Sequence, residues 1–209
     1  MNKISESMLK DIQLLTGNTC LIPNADMRNY TTFKVGGVAD LLVSPTSAEQ
    51  LLLLLDYCFH SDLPYFILGK GSNLIVSDKG IRGLVVSTLK LDKISIKEEV
   101  VTAECGTELS KLSDLAAKHG LSGLEFSCGI PGTVGGAVFM NAGAYEGEIS
   151  KVLLSSVALE LDKNNNDNGP WSQLLLDNAS HNFSYRHSVF QEIPLVHISS
   201  SFRLKPQEP

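Results

Sequence analysis

The sequence has no excess of basic residues, because 17 Lys and Arg stand against 23 Asp and Glu for a net charge of −6. Proteins that bind nucleic acids or membrane surfaces usually present a basic face, so this balance argues against both partners. Long apolar runs are also lacking: the longest, Leu51–Leu55, is far below the roughly 20 residues that cross a bilayer. Ser5–Leu15 reads as a short amphipathic helix without the apolar region of a signal peptide. We therefore expect a cytoplasmic protein that is not inserted in a membrane.

Cysteine is scarce, and its pattern excludes the common metal and disulfide frameworks. The four cysteines, Cys20, Cys58, Cys105 and Cys128, form no C-x-x-C pair, and no histidine lies at a metal-ligand spacing from one. We predict reduced thiols and no metal site. Cys128 precedes Gly129, but no general base is identifiable for it, so we expect a small buried thiol.

Helix signals occur at two further places in the chain. Thr46-Ser47-Ala48-Glu49 has the form of a capping box before the apolar run Leu51–Phe59. Thr107 is placed to cap another helix, which Gly120 ends in the C′ position. Strand-like runs are Leu41–Ser44, Tyr65–Leu68, Leu84–Ser87, Val100–Glu104, Val152–Leu161 and Leu195–Leu204. Strands and helices mix without a strict strand–helix–strand rhythm, which favours an α+β fold over a doubly wound sheet.

Two strand-like runs show the alternation of a half-buried strand. In the run Val152–Leu161, four residues fall on alternate positions: Leu153, Val157, Leu159 and Leu161. In the last, Val196, Ile198, Phe202 and Leu204 alternate with His197, Ser199, Ser201 and Arg203. The run Val152–Leu161 is followed by Asp162–Pro170, with the sequence DKNNNDNGP. The turn-forming composition of this segment predicts an exposed hairpin tip rather than a domain linker.

The first segment with chemical potential is Gly69-Lys70-Gly71-Ser72-Asn73, directly after the run Tyr65–Leu68. Two glycines permit a sharp turn and let backbone N–H groups approach an anion, while Ser72 and Asn73 add short polar side chains. The spacing matches neither a P-loop nor a dinucleotide fingerprint, since Leu74 stands where the third glycine would lie. A tight strand-to-strand turn remains an equal alternative.

The second segment, Gly129–Gly147, holds six glycines in 19 residues, whereas the whole chain has 17 in 209. Glycine costs about 0.5–1 kcal/mol per site in regular structure relative to alanine, so this density suggests backbone that must approach something closely. We expect Thr133–Met140 to begin a helix whose first N–H groups face a pyrophosphate. The alternative is a glycine-rich loop packed against its own sheet.

The third segment is Phe183-Ser184-Tyr185-Arg186-His187-Ser188. An arginine between aromatic and hydroxyl residues is suited to a carboxylate or a phosphate, because its guanidinium donates two parallel hydrogen bonds. The alternative, favoured by the segment alone, is a surface arginine with a stacked tyrosine.

Taken in order and spacing, six motifs resemble the UDP-N-acetylenolpyruvoylglucosamine reductase family, MurB, of bacterial peptidoglycan synthesis. The resemblance runs from about Asn29 to Leu204, and no single motif decides it. The motifs are Asn29–Gly37, Gly69–Leu74, Ser122–Phe126, Gly129–Gly136, Asn141–Gly147 and Tyr185–Ser188.

The resemblance implies an α+β, two-lobed FAD-binding module of the vanillyl-alcohol-oxidase (PCMH) type. Its implied divisions are residues 1–28 as an N-terminal helix and lead-in, 29–93 and 94–205 as two FAD-binding subdomains, and 206–209 as a tail. Further implications are FAD as cofactor, NADPH as hydride donor, a UDP-sugar enolpyruvyl substrate and a monomer. In the family, flavin N5 delivers hydride to the enolpyruvyl double bond.

The resemblance also assigns roles to residues. Arg186, with Tyr185, is the implied catalytic pair, in which the guanidinium grips the substrate carboxylate and stabilises the enolate-like charge. Implied FAD contacts are Gly69, Lys70, Gly71, Ser72, Asn73, Gly129, Ile130, Pro131, Gly132, Thr133, Gly135, Gly136, Asn141, Gly143 and Ala144. Family members continue into a further domain with a serine proton donor and a second catalytic glutamate, to which no residue of this chain is matched. Two alternatives stay open: another FAD-dependent oxidase or dehydrogenase of the same module, and a non-catalytic FAD-binding remnant.

Overall fold

A computed structural model describes residues 4–17, 21–162 and 170–207. The described residues divide into two compact units. Unit 1 comprises those up to Leu91 together with Pro170 and Trp171, and unit 2 comprises those from Asp92 to Asp162 and from Ser172 onward. Most of the predicted hairpin tip, residues 163–169, lies outside the described residues.

Unit 1 is built on a four-stranded mixed sheet with two helices. Its elements are α1 (Glu6–Thr16), β1 (Leu21–Asp26), β2 (Val38–Val43), α2 (Ala48–His60), β3 (Tyr65–Leu68) and β4 (Ile81–Ser87). The strand order is β1-β2-β4-β3; β2 and β3 run parallel to β4, and β1 runs antiparallel to β2. Helices α1 and α2 pack on each other, and Leu51, Leu54 and Leu55 of α2 are fully buried, whereas Leu53 is exposed.

Unit 2 is built on a five-stranded sheet with the order β11-β10-β12-β6-β5. Its elements are β5 (Ile94–Lys97), β6 (Val100–Glu104), α3 (Leu109–Lys118), β7 (Leu121–Ser122), α4 (Val134–Phe139), β8 (Gly143–Ala144), β9 (Gly147–Glu148), β10 (Leu153–Leu161), β11 (Trp171–Asp177), β12 (Leu195–Arg203) and β13 (Lys205–Pro206). The β10–β12, β12–β6 and β5–β6 pairs are antiparallel, so the α+β prediction is confirmed.

Strand pairing reaches close to both ends of the described chain. The residues after α1 join the sheet of unit 1, because β1 pairs along β2. Near the other end, Pro206 pairs with Leu121 in the small β7–β13 ladder. The divisions 1–28, 29–93, 94–205 and 206–209 stay predictions.

Helix starts follow the predicted chemistry with shifts of one residue. The cap of α2 is Ser47, whose hydroxyl accepts from the N–H of Gln50, while Gln50 Oε1 accepts from the N–H of Thr46 at 2.9 Å. Thr107 does not cap α3: the N-cap position is Glu108, and the Thr107 side chain is buried. Gly120 does end α3 in the left-handed region, at φ 67°, as predicted.

The simple alternation predicted for the two long strands is interrupted. The β10–β12 register shifts between Val157 and Ala158, so Ser156 and Ala158 face the interior where Val157 was expected. On β12 the predicted face is buried, but His197 is buried too. The reason is that α4 packs on β12 and covers the side that the pattern left to solvent.

Candidate functional site

In unit 1, the loop Gly69–Asn73 and the segment Asn29–Gly37 lie against each other. The Gly71 carbonyl accepts from the N–H of Thr32 at 3.1 Å. Gly71 has φ 67°, and a side chain there would overlap the carbonyl oxygen of Tyr30. This glycine is therefore required by the packing of the protein itself, which is the tight-turn alternative, while Lys70 and Asn73 of the same loop stay exposed.

The end of the Asn29–Gly37 segment packs equally closely on the chain that leads into β4. Gly37 donates its N–H to the Ser77 carbonyl at 2.9 Å, and a Cβ at Gly36 would lie 2.6 Å from that of Val76. A surface cavity of about 360 Å³ opens beside Lys34–Val38 and is also lined by Asp26, Arg28 and Asp78.

The charges at this cavity do not suit a phosphate group. Arg28 is paired with Asp26 at 2.6 Å, and hydrogen bonds from the Arg28 side chain and backbone lower the pKa of Asp26. Because the cations that line this cavity are matched by carboxylates, it has no net positive charge. The loop Gly69–Asn73 therefore remains the better candidate for a phosphate contact in unit 1.

In unit 2, the predicted helix after Pro131 is present as α4, with Thr133 as N-cap. Its first N–H groups do not face a ligand, however. Val134 donates to the Thr107 carbonyl and Gly135 to the Cys105 carbonyl, each at 2.8 Å, and Gly136 donates to Thr133 Oγ1. The prediction of a pyrophosphate on these groups is wrong for Val134 and Gly135, because carbonyls of the chain between β6 and α3 already accept from their N–H groups.

Five of the six glycines of Gly129–Gly147 fall into two groups when a side chain is placed on each. At Gly135 a Cβ would lie 3.1 Å from Cys105, at Gly143 2.6 Å from the Gly147 carbonyl, and at Gly147 2.5 Å from Phe126. These three are glycine because their own protein surrounds them.

Two glycines of the same stretch have no such neighbours. A Cβ at Gly129 meets no atom within 4 Å, and one at Gly136 meets only Thr133 Oγ1 at 3.7 Å. Both residues are exposed. Here the packing of the protein does not explain glycine, so these positions retain the space that a closely approaching ligand requires.

The remaining predicted contacts of unit 2 lie around these glycines. Ile130 packs partly on the hydrophobic core and Pro131 is exposed, between Gly129 and Gly132. Asn141 is 3% exposed, with its amide donating to the Ser184 carbonyl at 3.1 Å and its Oδ1 accepting from the Ser150 N–H. The Asn141 side chain therefore joins two loops, and any cofactor contact by it stays a prediction. Gly143 and Ala144 form β8, paired with β9.

Tyr185 and Arg186 occupy the tip of a two-residue turn. Ser184 and His187 exchange both backbone hydrogen bonds, each 3.2 Å long, and Arg186 has φ 55°. A left-handed arginine is uncommon, and such residues concentrate at functional sites. Tyr185 is 88% exposed and Arg186 is exposed as well.

Several side-chain hydrogen bonds hold this turn on the segment that follows α4. Arg186 Nη2 donates to the Gly143 carbonyl at 3.0 Å, and its Cζ lies 5.5 Å from the centre of the Tyr185 ring. Gln191 Nε2 donates to the carbonyls of both Phe139 and Arg186, at 2.8 and 3.1 Å. Arg186 therefore stacks on Tyr185, as one alternative predicted, and is also fixed as a cation beside the glycine-rich stretch.

Sequence reasoning missed Gln191. It lies in no motif, and nothing in its spacing signals that it bridges the turn to α4.

The segment Ser122–Phe126 has a structural role. Glu125 accepts from the N–H of Gly123 at 2.8 Å; burial alone would raise the pKa of Glu125, but hydrogen bonds from Ser122 and Gly123 outweigh it and lower the pKa. Cys128, next to this segment, is exposed, so the prediction of a buried thiol is wrong there. The reason is that the short helix Glu125–Ser127 buries Phe126 and Ser127 and turns the next residue outward.

Two further expectations concern metals and membranes. Across residues 4–17, 21–162 and 170–207, the structure groups no three His, Cys, Asp or Glu side chains in a way that would hold a metal ion. In the same ranges, no helix has both the length and the apolar character needed to span a bilayer.

Comparison with known proteins identifies the class first. The family model described as "FAD binding domain" matches residues 39–160, more than half of the chain. The chain therefore belongs to the FAD binding domain family. The p-cresol methylhydroxylase structure agrees in fold alone, at a TM-score of 0.66 and 16% identity over 98% of this chain and 45% of that one, so the vanillyl-alcohol-oxidase-type module is confirmed.

The particular relatives are reductases. The chain is 40% identical over 203 residues to UDP-N-acetylenolpyruvoylglucosamine reductase of Clostridium botulinum, covering 97% of this chain and 64% of that protein. Its structure also matches the crystal structure of MurB from Thermus caldophilus, at a TM-score of 0.71 and 30% sequence identity, covering 90% of this chain and 62% of that one. The resemblance seen in the motifs is confirmed, and the chain spans less than two thirds of the length of both relatives.

Proposed function

We propose that this chain is the FAD-binding part of an enzyme that uses NADPH to reduce UDP-N-acetylglucosamine enolpyruvate to UDP-N-acetylmuramate in peptidoglycan precursor synthesis. The relatives at 40% identity support the choice of substrate, since their name states it. The observation that carries the proposal is the turn that fixes Arg186 beside the glycine-rich stretch of unit 2.

FAD fits the residues of this stretch. Gly129 and Gly136 offer exposed backbone with space where a Cβ would otherwise stand, and packing does not require glycine at either position. We assign cofactor contacts to the backbone around Gly129–Thr133 and Gly136 in unit 2, and to the loop Gly69–Asn73 in unit 1. The α4 N–H groups of Val134 and Gly135 take no part, because they are already satisfied.

The chemistry that a bound flavin supplies is hydride transfer from NADPH to the enolpyruvyl double bond. The part of this chain is electrostatic. The Arg186 guanidinium donates from Nη2 to the Gly143 carbonyl, and its other N–H groups are left for the substrate carboxylate. A cation already in place when negative charge develops lowers the barrier without reorganisation, and Tyr185 orients it through the ring contact.

We assign the proton donor and the second catalytic glutamate of this reaction to no residue of this chain. We also propose that the protein is cytoplasmic and monomeric.

The experiment is a stepwise anaerobic titration of the purified chain. We expect a yellow protein from which acid releases FAD, and bleaching of the flavin absorbance by NADPH. Reoxidation by the enolpyruvyl substrate would show that this chain completes the reaction, and its absence would restrict the chain to the cofactor half-reaction. A colourless protein that takes up no FAD would overturn the proposal.

Arg186→Ala tests the role of the turn wherever reoxidation is observed. The variant should keep FAD and its reduction by NADPH, while reoxidation by substrate slows by about 10²–10³-fold, the usual effect of removing one preorganised donor. The matched control is Arg203→Ala, because Arg203 is an exposed arginine of the same unit at the end of β12. Loss of FAD from Arg186→Ala alone would move this residue from substrate binding to cofactor binding.

A further inference from the structure

Four buried polar side chains form a continuous hydrogen-bonded row through the core of unit 2. His181 Nε2 lies 2.9 Å from Ser156 Oγ, Ser156 Oγ lies 2.7 Å from Ser200 Oγ, and Ser200 Oγ lies 2.7 Å from His197 Nε2. The row joins the loop after β11 to β10 and β12. We term His181, Ser156, Ser200 and His197 the buried hydrogen-bond chain.

His181, at one end of the buried hydrogen-bond chain, determines which atom donates and which accepts in each of its hydrogen bonds. His181 Nδ1 lies 2.7 Å from the Asp177 carbonyl, which can only accept, so Nδ1 carries the proton. Neutral His181 then accepts at Nε2 from Ser156, and Ser156 accepts from Ser200. Ser200 in turn accepts from His197 Nε2, which leaves a lone pair on His197 Nδ1.

The far end agrees with this direction. Among the residues that the structure describes, none makes a hydrogen bond to His197 Nδ1, which is buried against Gly135 of α4. A protonated Nδ1 would be a donor without an acceptor, whereas a lone pair in an apolar setting is the less costly state. Burial also lowers the pKa of both histidines, which keeps them neutral.

The loop that carries Arg186 is attached to the sheet through these same histidines. The His181 ring stacks on Phe183, with centroids 4.8 Å apart, and lies 5.9 Å from Phe190. The rings of Phe190 and His197 form a T-shaped contact, with centroids 5.4 Å apart. Phe183 and Phe190 flank the Tyr185–Arg186 turn in sequence. Both arms of the turn therefore pack on the imidazole rings of His181 and His197, whose orientation the buried hydrogen-bond chain determines.

We propose that the buried hydrogen-bond chain is the positioning device for the Tyr185–Arg186 turn, with Ser156 and Ser200 as positioning residues. Apolar side chains would fill the core without requiring partners, whereas a fully ordered polar row permits one orientation of each ring. What Arg186 grips rests on the proposed function, but the positioning of the turn does not.

The test compares two neighbouring serines of β12 in the ¹⁵N-labelled chain. Ser200→Ala cuts the buried hydrogen-bond chain. Ser201→Ala, at the next residue of β12, removes the 2.8 Å hydroxyl pair that Ser201 makes with Thr102 of β6. We measure imidazole nitrogen shifts, and solvent exchange of the Ser184 and His187 amides that close the turn. In the wild type we expect the proton on Nδ1 of His181 and on Nε2 of His197.

In Ser200→Ala we expect the two turn amides to exchange about tenfold faster or more, with amides of α3 unchanged. Ser201→Ala should leave the turn at the wild-type rate. Equal effects of the two variants, or a rise spread over all of unit 2, would overturn the proposal. If Ser200→Ala does not fold, Ser156→Ala takes its place. In the wild-type protein, a proton on Nδ1 of His197 would by itself overturn the proposal. Neither readout needs FAD, so failure of the proposed function remains distinguishable.

Discussion

Gly129→Ala separates a glycine kept for a ligand from one kept for packing. The added Cβ meets no protein atom within 4 Å, and Gly129 is absent from the left-handed region. Alanine at such a site restricts the unfolded chain, so the free energy of unfolding should stay equal or rise by about 0.4–1 kcal/mol. If backbone here contacts FAD, the same methyl group should weaken FAD binding by about 10- to 100-fold, or roughly 1.4–2.8 kcal/mol.

The matched control is Gly147→Ala in the same stretch. Its Cβ would lie 2.5 Å from Phe126 Cβ and 2.6 Å from two ring atoms, and Phe126 is buried. Relieving that overlap requires movement of a core side chain, which costs about 1–3 kcal/mol. We therefore expect Gly147→Ala to lose stability while the folded fraction binds FAD as the wild type does.

Two measurements decide between these outcomes. Urea unfolding followed by circular dichroism reports stability, and titration of the apoprotein with FAD, followed by quenching of flavin fluorescence, reports affinity. The ligand role of Gly129 is refuted if Gly129→Ala binds FAD within about twofold of the wild type, a difference of only about 0.4 kcal/mol. It is also refuted if Gly129→Ala is the less stable of the two variants.

Three further predictions concern stability and reactivity. Gly71→Ala should cost at least about 2 kcal/mol in urea unfolding, because a left-handed alanine is strained and its Cβ overlaps a carbonyl oxygen. Burial lowers the pKa of His197 to about 3, so only the unfolded state gains this proton between its ordinary pKa of 6.5 and pH 3. The contribution of His197 to the free energy of unfolding should thus be fully present above pH 6.5 and fall by about 1.4 kcal/mol per pH unit on acidification. In urea unfolding, His197→Gln should reduce the dependence of the free energy of unfolding on pH by the equivalent of one proton. Iodoacetamide should label exposed Cys128 well before Cys58, whose pKa burial raises to about 12, as followed by peptide mass spectrometry; equal labelling would contradict the structure.

Local patterns predicted many of the elements of the fold. The strands Tyr65–Leu68 and Val100–Glu104 have the predicted bounds, and α1 begins after Ser5, whose hydroxyl accepts from the Met8 N–H. Gly120 marks the end of α3, as its position predicted. These features depend on spacing and on interactions within a few residues, which a sequence displays directly.

The short and irregular elements were not predictable in the same way. β1 lacks alternation, as its burial pattern has a single buried residue, Ala25, and its pairing with β2 is what makes it a strand. The bulge between Val157 and Ala158 reverses which residues of β10 face inward. Both depend on partners distant in sequence.

The sequence alone determined the family of this chain, the nature of its cofactor and the arginine at its candidate site, because residue types and their order carry that chemistry. Tertiary structure decided which groups remain available to a ligand. The carbonyls of Cys105 and Thr107 occupy the first N–H groups of α4, and the Phe126 ring accounts for Gly147, whereas Gly129 is left open. Whether a backbone group or a glycine serves a ligand depends on what packs against it, and that is set by residues far along the chain.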